Sequence, residues 1–122
     1  MAKSREYLLS TGKVVYAGKD SANNDDLVEA AEPKDVLLHT SAPGSPFCNL
    51  GENPTKEEIK EAAAFTASKS QVWRDSKKDV MMHIFKKKDV YKDKKMKSGT
   101  WAVKKFEEFK VRKLEIEKYE QN

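Results

Sequence analysis

A histidine and a serine on either side of a proline–glycine turn are the side chains of this sequence best placed to do chemistry. His39 lies near the end of an apolar run, Val36–Thr40, and Ser45 follows Pro43 and Gly44. Proline followed by glycine favours a type II turn, in which the glycine adopts a positive φ. The backbone N–H groups of such a turn, together with a serine hydroxyl, can bind a phosphate. The sequence therefore predicts His39, Gly44 and Ser45 at a ligand-binding site.

Catalysis and metal binding are the alternatives that start from the same residues. Ser45 lacks the Gly-x-Ser-x-Gly turn of a hydrolase nucleophile, and Asp35 precedes His39 by four extended residues, too far to orient the imidazole. His39, His83 and the aspartates before them lack the compact spacing of a metal-ligand set. Ser45 could instead simply bond the backbone of a tight connection. We therefore predict no catalytic residue, no metal and no other cofactor.

Lysines are concentrated in one short stretch, residues 86–97, which we call the lysine segment. Clustered cations bind a phosphate backbone by releasing its counterions, and an exposed tyrosine can stack on an unpaired base. The excess of lysine over arginine favours backbone binding over the reading of base edges. The alternative is a solvated loop with no ligand. The predicted nucleic-acid-binding residues, beside those at the turn, are Lys19, Lys86, Lys87, Lys88, Tyr91, Lys92, Lys94, Lys95, Lys97, Lys104 and Lys105.

The formal net charge of +4 hides a separation of charge along the chain. Acidic residues outnumber basic ones in residues 1–68, whereas basic residues are in large excess in residues 69–122. A uniform bias in composition would not produce this separation. The basic C-terminal half therefore indicates a polyanionic partner.

Several short motifs of the N-terminal half together resemble the NFACT-R domain family, an RNA-binding module of ribosome quality-control proteins that also occurs as small free-standing proteins. The family pattern is a glycine–lysine pair, then Asn-acid-x-Leu, Asp-x-Trp-x-His and a Gly-Ser-His turn. The matching residues here are Gly18, Lys19, Asn24, Asp25, Leu27, Asp35, His39, Gly44 and Ser45. Leu37 stands in place of the family's Trp, and Pro46 in place of the last His. The resemblance extends from Val14 to Lys113.

The resemblance implies a non-catalytic module that binds RNA, with tRNA or rRNA as the first expectation and the ribosome or another RNA-handling protein as a further partner. The larger N-terminal domain, helix-hairpin-helix repeats and coiled coil of the quality-control proteins are not predicted here, so tailing of nascent chains is not expected. An adaptor whose basic face docks an acidic protein is the main alternative, and an RNA-processing enzyme using His39 and Ser45 is a weaker one. The oligomeric state is left open.

The elements that must position these residues indicate an α+β fold, with a mostly antiparallel or mixed sheet packed by about two helices, in one domain over residues 1–122. Thr55 and Glu58 form a capping box that begins the clearest helix, which we expect to continue to about Trp73. Asn24 or Asp25 is expected to cap a shorter one. The other predicted elements are strands at 7–9, 13–18, 36–40, 47–50, 79–85, 99–103 and 109–112, and a short terminal helix at 114–120.

The remaining composition sets the cellular context. The single cysteine, Cys48, excludes an internal disulfide, and its apolar neighbours favour a buried, unreactive thiol. The sequence contains neither a run of apolar residues long enough to span a membrane nor a signal-peptide core. We therefore expect a cytoplasmic protein with no membrane partner.

Overall fold

The computed structural model describes residues 4–120, along which short strands and helices follow one another. The strands are β1 (Arg5–Leu8), β2 (Val14–Ala17), β3 (Val36–Thr40), β4 (Cys48–Gly51), β5 (Val80–Lys86), β6 (Val90–Tyr91), β7 (Ala102–Val103) and β8 (Glu107–Val111). The α-helices are α1 (Ser21–Ala30), α2 (Lys56–Ser68), α3 (Gln71–Ser76) and α4 (Lys113–Glu117), and one turn of 3₁₀-helix covers Lys87–Asp89.

Six of the strands form the central sheet, in the spatial order β1-β2-β4-β3-β5-β8. Every neighbouring pair in it is antiparallel. Strands β6 and β7 form a separate two-stranded ribbon. In the register of β3 and β5, His39 lies directly opposite His83. Because side chains alternate along a strand, these two imidazoles share one face of the sheet.

Both faces of the sheet are covered, each by its own apolar cluster. Leu38 and Met82 belong to the cluster that α2 and α4 cover. The neighbouring Leu37 and Phe85 point to the opposite face, where they pack with Val28 of α1 and with the ribbon. Two consecutive leucines are therefore both buried, because the sheet lies between two layers.

The single cysteine lies in the α2-covered cluster. Cys48 is fully buried. Burial raises the pKa of its thiol to about 12, although a hydrogen bond with Thr66 of α2 opposes the shift. A thiol with so high a pKa is a poor nucleophile at neutral pH, as its apolar neighbours predicted.

The predicted α+β class is confirmed, with four α-helices within residues 4–120 rather than about two. The capping box is present: the Thr55 hydroxyl accepts from the Glu58 N–H, and the Glu58 carboxylate accepts from the Thr55 N–H. The long helix expected to reach Trp73 ends at Ser68 instead, because the Ser70 hydroxyl caps a new helix by accepting from the Trp73 N–H. No α-helix within residues 4–120 is long and apolar enough to cross a membrane.

The start of α1 corrects a second expectation. Asp20 caps this helix by accepting from the Asn23 N–H at 2.8 Å, so neither Asn24 nor Asp25 is the cap. Asn24 is buried, and its side-chain oxygen accepts from the Phe47 N–H at 3.1 Å. A Cβ at Gly18 would lie 1.8 Å from that same oxygen. Only glycine therefore fits beside Asn24.

The C-terminal half is less regular than its pattern indicated. The strand expected at 99–103 is reduced to β7, and the one expected at 109–112 begins two residues earlier as β8. The lysine segment is not a plain loop, since it holds the end of β5, the 3₁₀ turn and β6 before an irregular stretch. The predicted terminal helix is present as α4.

Candidate nucleic-acid interface

A cleft of about 650 Å³ opens on the α1-covered side of the sheet. Its walls come from the β3–β4 turn, the start of α1, the start of α3 and the stretch that leads into and out of β7. Four predicted site residues line it together, although they are far apart in the sequence: Lys19, His39, Gly44 and Ser45. The structure thus unites the turn with the glycine–lysine pair.

The proline–glycine turn is braced from outside. Gly44 has a φ of +84°, as a type II turn requires of its glycine. Its carbonyl accepts from the backbone N–H of Gln71 at 3.1 Å. A Cβ at Gly44 would lie 3.0 Å from the Gln71 Cβ. The turn therefore fixes the start of α3, and no bulkier residue fits there without displacing it.

Ser45 and His39 are both bonded to backbone inside the site. The Ser45 hydroxyl is buried and accepts from the Thr40 N–H at 3.1 Å. His39 Nδ1 lies 2.6 Å from the Thr40 carbonyl oxygen. A carbonyl only accepts, so Nδ1 must carry the proton. Ser45 thus bonds the backbone of the tight connection after β3, as the alternative without a ligand predicted.

Electrostatics keep His39 neutral. Burial lowers the pKa of His39, and the neighbouring His83 lowers it further when charged, while bonding to the Thr40 carbonyl acts in the opposite direction. The net shift is downward from the usual histidine value. At neutral pH His39 is therefore an uncharged, flat ring in the cleft rather than a cation.

Four rings stand in a row along this face of the sheet, and we call them the ring row. Phe47 and His39 are tilted rings with centroids 4.3 Å apart, and His83 and Phe106 are stacked with centroids 4.1 Å apart. The cross-strand pair His39 and His83 joins the two halves. His83 Nε2 lies 2.9 Å from the Glu108 carboxylate. Phe106 remains 48% exposed.

Three cations that sequence reasoning missed also line the cleft: Arg5, Lys69 and Arg74. Arg5 donates to the Gly18 carbonyl. Arg74 donates to the Lys69 carbonyl at 3.1 Å and to the Gln71 side chain at 2.9 Å. Burial lowers the pKa of Arg5, the nearby charge of Arg74 lowers it further, and Asp20 opposes them. No local motif marks these cations, because β1, the end of α2 and α3 bring them together only in the fold.

Asp25 holds the lysine segment to the cleft. Its carboxylate accepts from Lys92 Nζ at 2.8 Å and from the Ser98 hydroxyl, the Gly99 N–H and Trp101 Nε1, each at 2.9 Å. Lys92 Nζ also lies 4.8 Å from the centroid of the Trp101 ring. Burial would raise the pKa of Asp25, but the bonds from Lys92 and the other three donors outweigh it and hold the pKa below its usual value. Sequence reasoning considered Asp25 as a helix cap and as part of the family motif, but not as a partner of the lysine segment.

The predicted lysines do not form one uniform patch. Lys86, Lys88 and Lys105 border a second groove of about 380 Å³, which meets the cleft at Phe106. Lys87 donates to the Ala31 carbonyl at 3.2 Å, and Lys104 Nζ lies 5.8 Å from the Tyr91 ring centroid. Lys94, Lys95 and Lys97 lie in the irregular stretch after β6 and are exposed. Across residues 4–120, no three His, Cys, Asp or Glu side chains are grouped so as to hold a metal ion.

Comparisons with known proteins agree with this architecture. The C-terminal part of the fibronectin/fibrinogen-binding protein from Streptococcus suis superposes with a TM-score of 0.82 at 23% sequence identity, covering 92% of this chain and 46% of the other. The chain thus spans less than half of that structure, and the likeness establishes the fold. A comparison with curated proteins found no match. The family model of the NFACT protein RNA-binding domain matches residues 3–105. This chain therefore belongs to the NFACT RNA-binding domain family.

Proposed function

We propose that this protein is a non-catalytic module that binds tRNA or rRNA in the cytoplasm, alone or at the ribosome, by contacts to the phosphate backbone. The observation that carries the proposal is membership of an RNA-binding domain family, which supports a general RNA-binding role. The choice of structured RNA and of the interface rests on the charge and exposure of the side chains given above.

Two sets of cations support a phosphate-binding surface. The lysine segment and its neighbours present exposed ammonium groups such as Lys86, Lys94, Lys95 and Lys97. The cleft adds Lys19, Arg5, Lys69 and Arg74 around the glycine turn. Phe106 lines both the cleft and the second groove, which Lys86, Lys88 and Lys105 border. Each phosphate that such a surface neutralises releases counterions, so binding should weaken steeply with added salt.

The environment of Ser45 and His39 supports a binding role over a catalytic one. A serine nucleophile needs its hydroxyl hydrogen-bonded to a base. Within residues 4–120 the Ser45 hydroxyl accepts from the Thr40 N–H and makes no hydrogen bond to the His39 ring, whose Nδ1 donates to the Thr40 carbonyl. Purified protein should leave RNA and generic esters chemically unchanged. Turnover that is lost in both His39→Ala and Ser45→Ala would contradict this.

The test removes charge from the lysine segment alone. Replacing Lys86, Lys87, Lys88, Lys94 and Lys95 with Gln should weaken tRNA binding by at least tenfold and make the dependence of log Kd on log salt less steep. The melting temperature should change little, because four of the five lysines are exposed and exposed lysines contribute little to stability; the half-buried Lys87 loses one bond to the Ala31 carbonyl. The matched control replaces five exposed lysines outside the segment, Lys56, Lys60, Lys78, Lys113 and Lys118, with Gln and removes the same net charge.

Fluorescence anisotropy with labelled tRNA and rRNA fragments measures both variants across a salt series. Equal loss in the two variants would mean a general charge effect rather than an interface at the segment. Salt-independent binding, or no RNA binding by the native protein, would overturn the proposal and favour an adaptor that docks an acidic protein.

A further inference from the structure

We propose that the cleft binds one unpaired nucleotide of RNA, with its base against the ring row and its phosphate against Arg5, Lys69 and Arg74. The proposal rests on the RNA-binding function above and names what this part of the surface recognises. It differs from the action of the lysine segment, which contacts backbone phosphates of any sequence or structure.

The ring row supplies a surface for a base. Phe106 stacks on His83 with an interplanar angle of 26°, yet 48% of its area remains exposed. His39 is neutral, so its ring adds a flat surface without a charge. Bases stack on aromatic and imidazole rings through their π-faces, largely independently of sequence. The half-exposed Phe106 at the mouth of the cleft is the ring that a base would meet first.

The cations beside the rings lack anionic partners among residues 4–120. Arg5 and Arg74 donate to the Gly18 and Lys69 carbonyls and to the Gln71 amide, all neutral groups. Neither they nor Lys69 belongs to an ion pair within the described chain. The two guanidinium groups are close enough for Arg74 to lower the pKa of Arg5, with Asp20 as the carboxylate that opposes it. A phosphate between them would relieve this repulsion and accept their free N–H groups.

The shape of the site restricts the ligand to an unpaired base. A cleft of about 650 Å³ has the size of a small-ligand pocket, enough for a nucleotide but not for a helix. Inside a duplex both faces of a base are covered by its neighbours, so only a loop, bulge or strand end offers a free face. The fold therefore joins a site for an unpaired nucleotide to a basic surface that can hold the adjacent helix.

The test uses a short single-stranded RNA carrying 2-aminopurine, and the same RNA annealed into a full duplex. The native protein should quench the single-stranded probe, because stacking on an aromatic ring quenches 2-aminopurine fluorescence, and should leave the duplex probe unquenched. Phe106→Ala and Phe106→Leu should each weaken single-strand binding by about tenfold and abolish the quenching. Arg74→Gln should weaken single-strand binding by about fivefold.

Matched controls separate the ring and the charge from bulk effects. Leu114→Ala removes another exposed apolar side chain, 72% exposed, and Arg112→Gln removes another exposed arginine; both should bind as the native protein does. Equal effects of Phe106→Ala on single strand and duplex, or quenching that survives it, would overturn the nucleotide site. If RNA binding persists but depends only on the lysine segment, this inference fails while the proposed function stands. If the native protein binds no RNA, the proposed function itself fails.

Discussion

The cleft and the lysine segment are both basic, but they are built in opposite ways. The cations of the cleft come from β1, the loop before α1, the end of α2 and α3, and backbone carbonyls or a neighbouring amide hold Arg5 and Arg74 in place. The lysines of the segment follow one another in the sequence, and Lys94, Lys95 and Lys97 face solvent. One region has few, oriented charges beside rings, whereas the other has many charges close together in the sequence, several of them exposed.

This difference separates two ways of recognising RNA. Exposed lysines neutralise phosphates wherever they lie, so they raise affinity and association rate without selecting a shape. Fixed arginines beside rings bind only a ligand that fits between them. Asp25 joins the two regions, since its carboxylate bonds Lys92 of the segment and Trp101 of the cleft wall.

The most damaging change to the cleft should be Gly18→Ala. Its Cβ would meet the Asn24 side-chain oxygen at 1.8 Å, and that oxygen holds the Phe47 N–H beneath the turn. We expect a loss of about 3 kcal/mol in the free energy of unfolding, or about 10 °C in melting temperature.

Gly12→Ala is the control for backbone conformation alone. Gly12 has a φ of +95° but nothing within 4 Å of the position of a Cβ, so only about 1 kcal/mol of strain is expected. Urea denaturation of both variants measures the difference. Equal losses would mean that contact with Asn24 does not set the requirement for glycine at position 18.

Asp25→Ala should release the lysine segment from the cleft while the sheet stays folded. Removal of one acceptor frees four donors, most of them near the surface, and we expect a loss of about 1–2 kcal/mol in stability. Trypsin should cut the segment faster, because the freed chain exposes its lysines to the protease. The emission of Trp101 should shift to longer wavelength.

Asp26→Ala is the control, because Asp26 is an exposed neighbour whose replacement should change neither stability, nor digestion, nor Trp101 emission. An unchanged digestion rate in Asp25→Ala would show that other contacts hold the segment.

The smallest expected effect is a dependence of stability on pH through His39. Burial lowers the pKa of His39 in the folded protein. At a pH between the folded and unfolded pKa values of His39, the unfolded chain binds more protons than the folded protein, and this favours unfolding. The contribution of His39 to the free energy of unfolding is therefore complete above about pH 6.5 and is lost as the pH falls below that value. His39→Gln should flatten this decline in urea denaturation between pH 7.5 and 5.5. The Thr40 carbonyl, the Ser45 backbone and His83 are the groups whose interactions with the ring affect the pKa of His39. An equally steep decline in the variant would assign the effect to another group.

The sequence predicted the elements whose signals are local. Val36–Thr40 is a strand with the expected bounds, and the Thr55 and Glu58 capping box begins a helix as expected. Val80–Lys86 follows the expected alternation. In each case neighbouring residues carry the information, since capping and alternation act over a few positions.

The two wrong helix boundaries each have a capping residue nearby in the sequence, but the spacing of apolar residues was given more weight. The apolar spacing predicts that helix α2 continues to Trp73, yet Ser70 is a good N-cap and begins a new helix. The sequence predicts Asn24 or Asp25 as the cap of α1, although Asp20, which stands earlier and soon after Gly18, is the residue that caps it. Serine and aspartate side chains can accept from the backbone N–H groups at the start of a helix. A pattern of apolar residues contains no information about such caps.

The candidate site was predictable only in part, because many of its residues are far apart in the sequence. The sequence predicts His39, Gly44 and Ser45 as one site and Lys19 apart from it, and all four line one cleft. Arg5, Lys69 and Arg74 carry no motif, since only the pairing of strands and the break before α3 bring them together. The four hydrogen bonds that the Asp25 carboxylate accepts were missed, because the donors lie 67–76 positions later in the chain.

The burial of Cys48 makes its reaction with a thiol reagent a measure of how often the sheet and the helix layer over it separate. The only thiol of the chain lies beneath α2, on the face of the sheet opposite the ring row, with a pKa of about 12. A thiol reagent reaches it only in molecules whose α2 layer has separated from β4, so the labelling rate under native conditions measures how often that layer opens. A ligand seated in the cleft contacts Lys69 at the end of α2, but it lies on the face of the sheet opposite Cys48. Any slowing of Cys48 labelling by RNA would therefore report stabilisation transmitted to the α2 layer through the sheet or through the end of α2.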